Sequence, residues 1–319
     1  SDLMASEDIE VAVNTADLVD AVGGSDYTSI VGGSAVITAG DTSTMVTVTV
    51  TGDELVEVDE TFAVNLTNGR FAGVIDTSRV DFTDARGEGT IVNDDSAVLS
   101  IADVSQAEGD SGLTDFVFTI TSTSAASKDL TVRVDTADLL GQAVAGTDYV
   151  AITNQIATIT AGMMSTTVTV SVEGEEIAEL DETFTVNLSD AQFDGMDDSS
   201  RVTIGDDSAT GTIINDDVAA LSIDDVSIAE GDSGATTFTF TVSSSSAASQ
   251  VIGFTVETAD LPLQAIAGTD YTALAPQSGS IGIGSTSTTV TVDVIGDELV
   301  EADEEFSISL SDVLFGGVD

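Results

Sequence analysis

The chain contains no cysteine, no histidine and no tryptophan, and it has two prolines and six basic residues against 57 acidic ones. Without cysteine there are no disulfides and no thiol chemistry. Zinc and copper sites are built from His and Cys, so neither metal has its usual donors here. The absence of both Cys and Trp excludes an antibody-type core, in which a Trp packs on a disulfide. Two prolines and little helical periodicity leave no room for an α/β fold. No apolar run approaches the ~18 residues that a membrane helix requires. The chain opens at Ser1 without an initiator Met or a signal peptide, which reads as a mature chain or a window from a longer protein.

The scarcity of bases leaves a net charge of −51. Arg70, Arg79, Arg86, Lys128, Arg133 and Arg201 are the only basic residues, and none follows position 201. Such a surface repels nucleic acid and anionic lipid and attracts multivalent cations. The chain is nevertheless 42% hydrophobic, with Val, Ile, Leu and Phe dense throughout, so it is not a disordered acidic tail.

An internal repeat organises the sequence. "GSDY" (24–27) returns as "GTDY" at 146–149 and 268–271. "GDELVEVDETF" (52–62) returns as "GEEIAELDETF" (174–184) and "GDELVEADEEF" (296–306), and "NDD" stands at 93–95 and 215–217. All these copies are 122 residues apart, the size of a whole domain. Cutting at "NDD" gives 1–95, 96–217 and 218–319. The first piece is expected to lack its first strand and the third its last, as in a window from a longer array.

In the middle piece, alternation of period two marks strands at 97–105, 116–121, 130–136, 157–160, 166–172 and 182–190. A last, interrupted strand covers 201–216. Seven strands in a domain of this length predict an all-β, immunoglobulin-like antiparallel sandwich. With consecutive strands running in opposite directions, the first, third and fifth connections and the end of the last strand share one tip. Glu108, Asp148, Glu175, Glu179, Asp216 and Asp217 all fall there, whereas the loops of the opposite end carry no comparable set. Gathered carboxylates suit Ca²⁺, which takes six to eight oxygen ligands, and so many acids predict more than one ion per complete domain. Isolated acids such as Asp17, Asp110 and Asp232 read instead as turn caps. Each of Tyr27, Tyr149 and Tyr271 is expected to pack at the sandwich edge.

"GDELVEVDETFAVNL", "GTDY" and the closing "GTI.NDD" together resemble the Calx-beta domain of sodium–calcium exchangers and bacterial surface proteins. The resemblance implies a β-sandwich that binds Ca²⁺ at one tip. It places the ligands of the middle copy on the six acids already named. In the first copy it implies Asp26, Asp53, Glu57, Asp94 and Asp95, and in the third Glu230, Asp270, Asp297 and Glu301. Two departures stand out: Glu175 is longer than its counterparts Asp53 and Asp297, and Asn93 and Asn215 occupy positions where exchanger domains carry a third acid.

These features predict a calcium-stiffened rod of repeats, belonging to a bacterial extracellular fibre, adhesin stalk or matrix protein. Only Val218, Ala219 and Ala220 separate Asp217 from Leu221, too few for a flexible tether. The expected partners are neighbouring repeats of the same array, with head-to-tail copies completing each other by strand exchange as an alternative. A calcium-sensing module beside membrane helices is the other alternative. Nothing beyond the presence of acids suggests an enzyme, and no loop identifies an adhesion target.

Overall fold

A computed structural model of the protein describes residues 4–318. The first unit holds β1 (Ile9–Asp17), β2 (Gly33–Ile37), β3 (Glu60–Phe71), β4 (Val74–Ile75) and β5 (Arg86–Ile91). The second holds β6 (Ala97–Ile101), β7 (Val104–Ala107), β8 (Gly112–Ser122), β9 (Leu130–Asp138), β10 (Gln155–Ile159), β11 (Ser165–Gly174), β12 (Glu182–Phe193), β13 (Val202–Ile204) and β14 (Ser208–Ile214). The third holds β15 (Leu221–Ile223), β16 (Gly234–Ser244), β17 (Ile252–Asp260), β18 (Gln277–Ile281), β19 (Ser287–Gly296) and β20 (Phe306–Phe315). Among the described residues no helix is long and apolar enough to cross a membrane.

The alternation read from the sequence is the alternation of burial. In β8, Phe116, Phe118 and Ile120 point into the core while Val117, Thr119 and Thr121 face out. The second unit stacks a sheet of order β10-β9-β12-β14-β7 on one of order β11-β8-β6-β13. Here the expectation of seven antiparallel strands is corrected. The first and last strands each divide between the two sheets, and they pair with one another in parallel, β13 with β6 and β14 with β7. Ala102–Asp103 and Gly205–Asp207 interrupt the alternation and let the chain step across. Asp103 Oδ1 fixes the step by accepting from the Thr210 N–H at 2.7 Å, and the Gly205 N–H donates to the Leu99 carbonyl at 2.9 Å.

Among the described residues the first unit starts at β1, the counterpart of β9, and no counterpart of β8 is present. This has a local consequence at residues 43–50, which alternate like β11 but form no strand. In the second unit β11 pairs with β8, and without that partner the stretch makes a single bridge, Val50 to Tyr27. The third unit shows the same logic. Residues 226–229 correspond to β7 but are not a strand; β7 pairs with β14, and among the described residues no counterpart of β14 is present.

The centre of the second core is Phe184, which is fully buried. Tyr149 stacks on it with centroids 4.4 Å apart, and Phe118 meets it edge-on at 6.0 Å. Across the strand pair Phe184 lies opposite Gly211, where any Cβ would collide with the ring. The glycine of "GTI" is therefore a seat for the aromatic, and Phe62 over Gly89 repeats the arrangement. The tyrosines are not at the edge, as the sequence reading has them, but buried. Each stacks on its unit's Phe (62, 184 or 306) and donates its hydroxyl to Asp17, Asp138 or Asp260 at 2.6–2.7 Å. That bond lets a phenol enter the core without leaving a polar group unpaired. Replacing Phe184 with Ala removes the ring on which three aromatics pack. The second unit is expected to lose about 3–5 kcal/mol, read as a lower midpoint in urea unfolding followed by circular dichroism.

Candidate metal centre

The parallel pairing of first and last strands carries acids from distant positions to one tip. Glu108 follows β7, and its N–H donates to the Ile214 carbonyl at the end of β14. Asp216 and Asp217 follow that carbonyl after Asn215, and Asp216 Oδ1 accepts from the Gly109 N–H at 3.3 Å. Glu108, Asp216 and Asp217 each bring a carboxylate oxygen within 4.8 Å of the others. Glu108 is only 3% exposed, and Asp217 Oδ2 is buried without a hydrogen-bond donor.

The other predicted acids of this unit act on the same spot. Burial pushes the Glu108 carboxyl up to about 8, and the charges of Glu175, Glu179, Asp216 and Asp217 add to the effect. Glu175 is raised by burial and then by Asp148, Asp217, Glu182 and Asp216. Glu179 is raised by burial, Glu175 and Asp148. Asp148 is held by its own turn, where Oδ2 accepts from the Val144 N–H at 2.6 Å. All six acids thus belong to one electrostatic cluster. The ion pairs of the described residues go to Glu10, Asp59, Asp76, Glu88, Asp135, Asp190 and Asp198, none of which is in it. No bound base offsets the charge.

In the third unit, Glu230, Asp297 and Glu301 converge within 4.8 Å, and so do Asp270, Glu301 and Glu304. Glu301 belongs to both triplets and bridges two adjacent positions. In the first unit, burial raises Glu57, with Asp53, Asp26, Asp20 and Asp95 contributing. Asp95 is raised by burial and by Asp94 and Asp53. No counterpart of Glu108 is present there. Asp53 and Asp297 also cap their own turns, accepting from Leu55 and Leu299 N–H at 2.9 and 2.6 Å. Asp17 is a structural acceptor, bonded to Tyr27 and to the Gly23 N–H. Asp110, read as a turn residue, lies close enough to Asp217 to help raise it.

The sequence reading missed the first residue of the sixth strand. Glu182 is pushed up to about 7 by burial, with Asp148 and Glu179 adding, and Glu60 reaches about 7 in the first unit. Glu60 Oε2 is buried without a partner, and Glu304 joins a triplet in the third unit. The signal was legible: an acid stands two residues before each central Phe, in "DETF", "DETF" and "DEEF".

A family model described as the Calx-beta domain matches residues 2–83, 93–218 and 214–316. The chain belongs to the Calx-beta domain family. Among solved structures it is similar to "CBD12 from CALX1.2" at 19% identity, covering 68% of this chain and 81% of that one, with a TM-score of 0.33. It is also similar to the apo-form Calx CBD1 domain at 21% identity, covering 39% of this chain and 100% of that one, with a TM-score of 0.32. These likenesses are too distant to add to the geometry. A comparison with curated proteins found no match.

The acid-bearing loops of the first two Calx-beta units have a second face. Val56 lies between Asp53 and Glu57, yet it is fully buried in the core of the following unit. Its N–H donates to the Ala125 carbonyl at 3.0 Å, and its carbonyl accepts from the Ser127 N–H at 2.9 Å. Ala178 repeats this contact with Ala247 and Ser249 at the next junction. Arg201 of the second unit closes the first junction: Nε donates to the Glu57 carbonyl at 2.6 Å, and the guanidinium pairs with Asp59 at 2.9 Å.

A donor set made only of carboxylate oxygens, with one buried and lacking a donor in each of the first two units (Glu60 Oε2 and Asp217 Oδ2), fits a hard divalent cation. It also sets a pH dependence. In the unfolded chain Glu108 ionises near 4.5, whereas in the metal-free fold it holds its proton to about 8. Stability from this group is therefore complete below about 4.5 and declines as pH rises towards 8. Urea midpoints in chelator are expected to fall between pH 5 and pH 8, with a shallower slope in Glu108→Gln. An equal slope in the variant would remove Glu108 from the account.

Proposed function

We propose that this chain is a calcium-binding, calcium-stiffened segment of an extracellular structural protein. The observation that carries the reading is the double use of one loop: its acids face the cluster at the tip while Val56 or Ala178 seats it in the next unit. The residues that would hold calcium are Glu108, Asp148, Glu175, Glu179, Glu182, Asp216 and Asp217 in the complete unit. In the first unit they are Asp26, Asp53, Glu57, Glu60, Asp94 and Asp95, and in the third Glu230, Asp270, Asp297, Glu301 and Glu304. The two triplets that share Glu301 favour more than one ion per tip. Bound calcium supplies the positive charge that the tip lacks. The chain's own part is to bring the carboxylates together and to couple their order to the junction.

Without an ion, repulsion spreads the loop and loosens Val56 and the Arg201 clasp, so the junction bends. With the acids neutralised, the loop is fixed against both units and the array becomes a rod. Affinities typical of extracellular modules, ~10⁻⁴–10⁻³ M, suit an environment rich in calcium. The bacterial surface, as fibre, adhesin stalk or matrix, is the setting this reading favours. Recurrence of the loop acids in every unit, Asp53 and Glu57, Glu175 and Glu179, Asp297 and Glu301, suits a structural role better than an active site, and the chain is read as non-enzymatic. Its partners are then neighbouring repeats.

The test uses the whole chain in calcium, magnesium or chelator. Calcium at one hundred times its Kd is expected to stabilise each binding unit by about 2.7 kcal/mol, with magnesium doing less. Small-angle scattering is expected to show a longer maximum dimension in calcium, and Arg201→Gln should reduce that extension. Unfolding and dimension both unchanged by calcium would reject the reading.

A further inference from the structure

Asn93 and Asn215 stand where an acid was expected, and the simplest interpretation is a ligand lost. Their contacts say otherwise. Asn215 Oδ1 accepts from the Glu179 N–H at 2.9 Å, and Nδ2 donates to the Asp217 carbonyl at 2.9 Å. The backbone N–H of Asn215 donates to Asp181 Oδ1 at 3.1 Å. In the first unit Asn93 makes the same three bonds, to the Glu57 N–H at 2.8 Å, the Asp95 carbonyl at 2.8 Å and Asp59 Oδ1 at 3.3 Å. The orientation of each amide is fixed by its neighbours, since turning it over would set N–H against N–H and oxygen against oxygen.

We propose that Asn93 and Asn215 are positioning residues that bolt the acid-bearing loop to the exit of the last strand. The two chain segments come from opposite ends of the cluster: one carries Glu175 and Glu179, the other Asp216 and Asp217. An amide joins them because it accepts on one side and donates on the other. A carboxylate at this position has no N–H for the Asp217 carbonyl. It would also add a negative charge to a tip that already lacks cations. The asparagine therefore sets the spacing between two groups of ligands without contributing one, in the manner of outer-shell partners that orient metal ligands.

The inference rests on the calcium reading above, and its test separates the two. Calcium binding to the whole chain is measured by titration calorimetry for the unaltered protein, Asn215→Asp and Asn93→Asp, with unfolding of each in chelator recorded alongside. Positioning predicts that Asn215→Asp weakens calcium binding at the second unit by about 10- to 100-fold, although a carboxylate has been added. A lost ligand predicts the reverse, tighter binding or an additional ion, and that result would overturn the proposal. A merely structural role predicts a lower unfolding midpoint in chelator with the calcium Kd unchanged, which also overturns it. Should Asn215→Asp fail to fold, Asn93→Asp asks the same question in the first unit. An unaltered chain that takes up no calcium would reject both readings, whereas calcium binding indifferent to either substitution would reject this one alone.

Discussion

Everything at the tip depends on carboxylates being held together against their own repulsion. The restraint comes from behind. Phe184 sits on Gly211 and fixes β12 against β14, and so fixes where Glu182 begins one strand and Asp216 leaves the other. The parallel run of β7 beside β14 then brings Glu108 to the same level. Dispersion and burial in an aromatic core supply the force, and the cost appears as carboxyl groups that keep their protons to about 7 or 8 in the absence of a cation. A site built this way gathers more negative charge than the fold around it neutralises.

Much of this was legible in the sequence because it follows from spacing. A repeat of 122 residues fixed the units, and period-two alternation fixed most strands. The direction of those strands was enough to put Glu108, Asp148, Glu175, Glu179, Asp216 and Asp217 at one end. What the pattern could not show was partnership. Residues 43–50 alternate as well as β11 does, yet a strand exists only where another chain segment accepts its hydrogen bonds. The division of the first and last strands between two sheets was likewise hidden. Alternation looks the same whichever sheet a residue faces, and only the short breaks at 102–103 and 205–207 mark the crossing.

Residue type misled in three places, each time because chemistry depends on the neighbour. Glu182 resembled the start of an ordinary strand, since an acid there is usually solvated. Tyr149 was expected at the sandwich edge, whereas its ring is fully buried and only its hydroxyl reaches out to the exposed Asp138. Asn215 was compared with an aspartate on grounds of position, although its value lies in the hydrogen atoms that an aspartate lacks.

Val56 carries a consequence for what counts as a module. The repeat in the sequence ends near residue 95, but the core of the following unit extends back across that line to a side chain of its predecessor. Excising 96–217 at the repeat boundary would therefore leave an apolar hollow at one end and strip the preceding loop of its anchor. Genetic unit and cooperative unit are out of phase. Neighbours joined in this way are expected to share part of their unfolding, because each loses buried contacts when the other opens.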